Sequence, residues 1–291
     1  MHPGKGRLWS RNVEAGLLLD ALSSLQRRCV NTRSMFAKAA RHLKIVGALM
    51  MREMATRFGR EGLGFAWIVG EPLLFCFGVM FLWAATKPEY EHGVRLIPFV
   101  MTGYMSLILI RHLIGALASA LQSNLGLLYH RKVSPMHIFT SRAMIEIGGT
   151  TAAFVFVYLV LLAMGEVQLP HDYLTLYIGW TLLCWVSVGF ALVLTGLAMR
   201  YDVFERLIGL ISYLLIPLSG AFSMVAWLPP DFQKFILLIP FVHGVEMVRA
   251  GVFDEFTPTY FDVGYALLCG AVFNLLGLAM IAGARDRIAV E

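Results

Sequence analysis

YLTLYIGWTLLCWVSVGFALVLTGLAM, residues 173–199, runs from Tyr173 to Met199 without one charged side chain. An α-helix needs roughly 20 apolar residues to cross a hydrocarbon layer of about 30 Å, and this stretch is long enough to do so. Five more runs of the same kind flank it. They extend from about Gly64 to Ala85, broken only by Glu71-Pro72; from Leu96 to Ser119, carrying Arg111-His112; from Ala143 to Met164, with Glu146 near one end; from Leu207 to Leu228, with Pro217 in the middle; and from Val263 to Ala284, with Asn274 the one strongly polar member. The expected fold is all-α, a polytopic membrane protein with six transmembrane helices. A closed β-barrel is excluded, because its strands would alternate apolar and polar over about 10 residues. Composition agrees: of 291 residues 58% are hydrophobic and 15% charged, against about 25% charged in a soluble domain.

Charge placement predicts orientation. Lysine and arginine crowd the segment before the first run, from Lys5 to Arg60, and recur at Arg131, Lys132 and Arg142, at Arg200 and Arg206, and at Arg285 and Arg287. The opposite connections hold Lys87, Arg95, Lys234 and Arg249. The positive-inside rule then puts both termini in the cytoplasm. Residues 1–34 show no sustained period and read as a poorly structured extension or an upstream start, with Met35 as the natural beginning. Cys29, Cys76, Cys184 and Cys269 are too scattered for a disulfide framework and read as reduced or buried thiols.

Three segments outside the runs carry further information. Residues 35–62 form an amphipathic interface helix: Phe36, Ala40, Leu43, Gly47, Met50, Met54 and Phe58 recur at three- and four-residue steps, with Lys38, Arg41, His42 and Arg52 opposite. Such a helix lies on the cytoplasmic surface, its cations on anionic head groups, as a generic anchor or with a further role in guiding an anionic substrate. Residues 121–142, which contain LGLLYHRKVSPMHIFTSR, are longer and more apolar than a connector requires; they read as a stop to membrane transfer or as a docking surface for a cytoplasmic partner. Within residues 229–262, Phe235–Val245 is too short to span and too apolar for an exposed loop, which suits a re-entrant helical hairpin. His243, Glu246 and Arg249 follow at three-residue steps on one helix face, as a structural ion pair or as direct substrate contacts. Arg111 and Glu71 lie inside runs, where charge is costly and faces a cavity or a partner.

Absent motifs narrow the chemistry. No G-x-x-x-x-G-K-[ST] occurs, so the chain has no P-loop for ATP, and LSGAF at 218–222 is buried in an apolar run. No metal spacing and no Gly-x-Ser-x-Gly elbow is present. No cofactor and no catalytic residue are therefore expected in this chain, which does not read as an enzyme.

REMATRFGREGLGFAWIVGEP at 52–72, LGLLYHRKVSPMHIFTSRAMIE at 125–146 and IPFVHGVEMVRAGVF at 239–253 together resemble the type-2 ABC exporter permeases of polysaccharides, and most of all the capsular polysaccharide export permeases of Gram-negative bacteria. The resemblance runs from about residue 36 to the end, with residues 63–291 as the six-helix ABC-2 type transmembrane domain. It implies a homodimer in the bacterial inner membrane with two copies of a separate cytoplasmic ABC ATPase, which holds the ATP and Mg. It also implies a periplasmic co-polymerase or adaptor, an outer-membrane export channel, and a lipid-linked anionic polysaccharide as cargo. No nucleic acid is expected as a partner.

On that reading, a threaded polymer passes Arg52, Arg57, Phe58, Arg60, Trp67, Glu71, Tyr104 and Arg111, with His243, Glu246 and Arg249 at the outer side. Aromatic faces and bidentate donors are what sugar polymers favour. The ATPase docks on Tyr129, His130, Arg131, Pro135 and Ile138, while Trp83, Tyr173 and Trp227 form interfacial belts. Two alternatives stand: an ABC-2 permease for another cargo, such as O-antigen, teichoic acid or a drug, and a secondary transporter, which would want coupling carboxylates near the midplane and paired broken helices.

Overall fold

The computed structural model describes residues 40–56, 64–120, 122–124, 133–253 and 258–288. The chain divides into two units, Met1–Ala48 and Leu49–Glu291. Of the first, residues 40–48 are described and are helical. Residues 49–56 open the second unit as helix α1. There follow α2 (Gly64–Thr86), a hairpin of β1 (Tyr90–Glu91) and β2 (Val94–Arg95), α3 (Leu96–Ala118), a 3-10 turn (Gln122–Asn124), α4 (Pro135–Met164), α5 (Tyr173–Ala198), α6 (Asp202–Leu218), a second 3-10 turn (Val225–Trp227), α7 (Pro230–Ile236), α8 (Pro240–Val252) and α9 (Val263–Ile288).

Among the described residues, α2, α3, α4, α5 and α9 are long and apolar enough to cross a membrane. This is the polytopic all-α architecture. Helix α3 is the central member: it contacts α2, α4, α5, α6 and α8, and its inward side chains are nearly all buried. Helix α2 leaves Leu74, Phe75, Phe81 and Leu82 exposed, as suits a helix whose solvent is lipid tails. Helix α4, at 30 residues, is on the order of 45 Å long and overshoots a hydrocarbon layer. Its first turns therefore extend beyond the layer. Ser134 starts it: the serine backbone N–H donates to His137 Nδ1, and Pro135, which lacks an N–H, occupies the first turn where none is needed.

Helix α5 packs on α9 and α8. With little hydrophobic drive between helices in lipid, such contacts depend on close backbone approach. At Gly189 a Cβ would stand 2.9 Å from the Asn274 backbone nitrogen and 2.6 Å from its side-chain amide, so glycine is what lets the two helices meet there. Outside the layer, Asp172 caps α5, accepting from the Leu174 N–H at 2.9 Å and from the Thr175 hydroxyl. Those bonds, the threonine hydroxyl's above all, hold its carboxyl below the ordinary carboxylate range.

One expectation changes. The fifth apolar run is not one helix through Leu228: α6 begins earlier, at Asp202, and stops at Leu218, after 17 residues. At on the order of 25 Å it stands at the short limit for a span. The chain then turns through Ser219 and Gly220, because the carbonyls beyond the helix end are taken by Arg249, as described below. The α2–α3 connector is a two-stranded hairpin, Tyr90 opposite Arg95 and Glu91 opposite Val94, closed by His92 and Gly93 at positive φ. Where a re-entrant hairpin is expected, α7 and α8 bend by 106° across a short break, as a broken span or a re-entrant loop does.

Candidate functional site

Three polar constructions lie among the apolar helices. The first is a junction at the basic end, where α1, the end of α3 and the start of α4 meet. Glu53 on α1 and Arg142 on α4 form an ion pair at 2.8 Å with side-chain exposures of only 8% and 3%. Arg142 Nη1 donates to the Ala116 carbonyl at 3.0 Å and to the Ser119 hydroxyl at 2.9 Å, and Nη2 donates to the Ser123 hydroxyl at 2.7 Å. Beside it, Arg52 donates to the Asn124 side-chain oxygen, and the Asn124 amide donates to the Ala120 carbonyl. One guanidinium thus joins three segments. Removing either charge breaks a buried pair from one side, a change that costs about 3–5 kcal/mol.

The second construction is a recess of about 260 Å³ between α2, α3 and α4, lined by Ile68, Glu71, Arg111, His112, Ser119 and Glu146 among others. Glu71 lies seven residues from the start of α2 and Arg111 seven from the end of α3, so both sit about 10 Å along their helices from the basic end. His112 Nδ1 stands 3.7 Å from a Glu146 carboxylate oxygen. The Arg111 guanidinium lies 5.4 Å from the centre of the Tyr213 ring of α6.

The third is a buried lock at the opposite end. Arg249, fully buried, donates from Nη1 to the Gly220 and Ser223 carbonyls at 2.8 and 3.1 Å and to Glu246 at 3.3 Å, and from Nη2 to the Ala221 carbonyl at 2.6 Å. Its guanidinium carbon lies 4.4 Å from the centre of the Phe99 ring. Glu246, with no exposure, also accepts from the Val225 and Tyr260 N–H groups. His243 accepts at Nδ1 from the Asp262 N–H, so Nε2, 2.8 Å from the Leu237 carbonyl, is the donor there. The α8 face therefore fastens the segment after α6, the end of α7 and the start of α9. Gly103 completes the fit, since a Cβ there would stand 1.9 Å from the Ala221 carbonyl oxygen.

The expected site residues distribute unevenly over these three. Glu71 and Arg111 share the recess, with Trp67 exposed one turn before Glu71. Tyr104, half-buried two turns before Arg111, faces Phe222 at 6.2 Å. Arg52 is held by Asn124 at the junction and is not a free cation at an entrance. His243, Glu246 and Arg249 do share one face, but all three are buried and bonded inside the chain, so as placed they offer a polymer no surface. Pro135 and Ile138, expected on a docking surface, are buried where α4 begins, Ile138 at 2% exposure, because this turn packs on the end of α3. Arg57, Phe58, Arg60, Tyr129, His130 and Arg131 lie outside the described residues. Trp83 and Trp227 belong to an aromatic group with Phe99, Phe222 and His92, with Phe99 and His92 each 4.8 Å from Trp227.

Sequence reasoning missed Glu53, Arg142 and Asn124 as one junction. The available sign was an acid at 53 on the apolar side of a helix otherwise bordered by bases. It also missed His112–Glu146, two ionisable residues within apolar runs, for which depth alone was the sign.

Among the described residues, five helices long and apolar enough to cross a membrane, a short helix α1 tied through Glu53 to α4, and a sharply bent α7–α8 pair define a polytopic helical membrane protein. The chain belongs to the ABC-2 type transporter family, whose model matches residues 45–253. Similar to it are the capsule polysaccharide export inner-membrane protein CtrC of Neisseria meningitidis serogroup B, 35% identical over 88% of this chain and 96% of that protein, and the capsule polysaccharide export inner-membrane protein BexB of Haemophilus influenzae, 34% identical over 82% and 90%. The polysialic acid transport protein KpsM of Escherichia coli is 27% identical over 80% and 89%.

Proposed function

We propose that this chain is the permease subunit of an ATP-driven exporter that moves a lipid-linked anionic capsular polysaccharide across the bacterial inner membrane. The observation that carries the reading is the 35% identity to a capsule polysaccharide export protein over nearly the full length of both chains. The sequence has no nucleotide loop, so the energy comes from a separate ATPase, two copies of which work with two copies of this chain. A polymer too long to be enclosed is threaded between the two permease copies, onward to a periplasmic adaptor and an outer-membrane channel. Both termini and the residues 121–142 segment face the cytoplasm, and Tyr129, His130 and Arg131 carry the ATPase contact. The Glu53–Arg142 junction supports that coupling role, because it ties α1 to both helices that flank the segment.

The test is restoration of surface capsule in a strain lacking its own capsule permease but retaining the ATPase, together with ATP hydrolysis by purified chain alone and in complex. Restored capsule and hydrolysis only in the complex are expected. Substantial turnover by the isolated chain, or failure to restore export to a panel of capsule strains despite normal membrane insertion, would overturn the reading.

A further inference from the structure

The recess between α2, α3 and α4 holds more charge than the packing uses. Arg111 lies over the Tyr213 ring and close enough to Tyr104 to act on it electrostatically, and neither it nor Glu71 makes a hydrogen bond or ion pair among the described residues. Charge inside a membrane helix is costly and characteristically faces a cavity or a partner. Two charged groups with no hydrogen bond or ion pair among the described residues, lining the same opening, therefore point to a polar occupant.

The donor set limits what that occupant is. Glu71 and Glu146 accept, Arg111 donates through a rigid fork, and His112 does either. A lone phosphate would find one guanidinium but face two carboxylates. A lone cation would meet Arg111. A sugar ring suits both kinds of wall, because its hydroxyls donate to carboxylates while its hydroxyl, ring and carboxylate oxygens accept from a guanidinium. At about 260 Å³ the space falls just below the ~300–1,000 Å³ of drug-sized sites, room for one ring and not for a folded length of chain.

We propose that this recess is a saccharide subsite, in which Glu71, Arg111, His112 and Glu146 grip one sugar unit of the exported polymer at the basic end of the membrane. The proposal rests on the polysaccharide export reading and adds the residues that hold the cargo. His112 and Glu146, 3.7 Å apart, are within ion-pair reach but farther apart than a hydrogen bond.

Gly115 supplies the probe, since it lines the recess and a Cβ placed there meets nothing within 4 Å. In a version with the four native cysteines replaced by Ser, Gly115→Cys is treated with a charged methanethiosulfonate reagent in inverted vesicles. The vesicles come from cells that make the polymer, with a hydrolysis-deficient ATPase to hold it, and from cells lacking the capsule polymerase. Labelling is expected in the empty vesicles and at least tenfold slower in the loaded ones, with the protection lost when Glu71→Gln and Arg111→Gln are added. Ile68→Cys serves as a second reporter should Gly115→Cys fail to export.

Equal labelling of loaded and empty vesicles, in a chain that still exports, overturns the subsite while leaving the export reading intact. Absence of labelling in both overturns it as well, because the recess is then closed to water. Protection of empty vesicles by added phosphatidic acid assigns the recess to a phosphate, and a disulfide between two Gly115→Cys copies assigns it to the second copy. Failure of the export reading itself shows separately, as loss of capsule restoration by the unmodified chain.

Discussion

Arg249→Met tests whether the buried lock of α8 holds the fold together. The substitution keeps a long apolar stem and removes the fork. Three backbone carbonyls, at Gly220, Ala221 and Ser223, then lose their donor in a fully buried place, and Glu246 keeps its charge with only two backbone N–H groups to satisfy it. An orphaned buried acceptor costs about 1–3 kcal/mol, and breaking a buried ion pair from one side about 3–5 kcal/mol. These losses overlap and do not add, so about 3–5 kcal/mol is the expected destabilisation.

Glu246→Leu should cost a similar amount, by stranding the guanidinium. The double variant should fall short of the sum by about 0.5–3 kcal/mol, because no lone charge remains while the carbonyls stay unpaired. The assay is unfolding in mixed micelles, titrated with SDS and followed by tryptophan fluorescence. Arg249→Met unfolding within about 0.5 kcal/mol of the parent, the scatter of neutral surface changes, would refute the assignment of the lock. Strict additivity of the two single variants would refute the pairing within it.

Gly103→Ala should destabilise by about 1–3 kcal/mol or more, since its methyl group collides with a backbone carbonyl that cannot rotate away, whereas Gly115→Ala, with open space, should be near neutral in the same titration. At the junction, Glu53→Arg and Arg142→Glu should each uncouple ATP hydrolysis from export in the reconstituted complex, and the swapped pair should recover part of the coupling; equal hydrolysis-to-export ratios in all variants would deny the junction that role. For orientation, single cysteines at Glu89 and His171 should react with an impermeant reagent from the outside and those at Ser134 and Asp202 should not, and outside labelling at Ser134 would reverse the charge-based topology.

The primary sequence alone determined that this chain is a bundle of membrane helices, because uninterrupted runs such as 173–199 leave a chain no other way to satisfy its backbone in lipid. The helix through residues 40–56 was legible from its period, and the bent α7–α8 pair from an apolar run too short to span. Which charges meet was not legible. Glu53 and Arg142 are 89 positions apart, and nothing local announces that their helices touch; Glu246 and Arg249 announced a shared face but not the three carbonyls that occupy the guanidinium.

Hydropathy also carried the fifth run on to Leu228. It measures burial and not backbone direction, and Ser219 to Leu228 is apolar while turning back beneath α8. Ile138 shows the same limit from the other side: an apolar residue beside a basic loop reads equally as a docking anchor or as core, and only the packing of α4 on α3 made it core. Tertiary structure decided these points because a buried charge or carbonyl must find its partner across the bundle, at distances in sequence that periodicity does not encode.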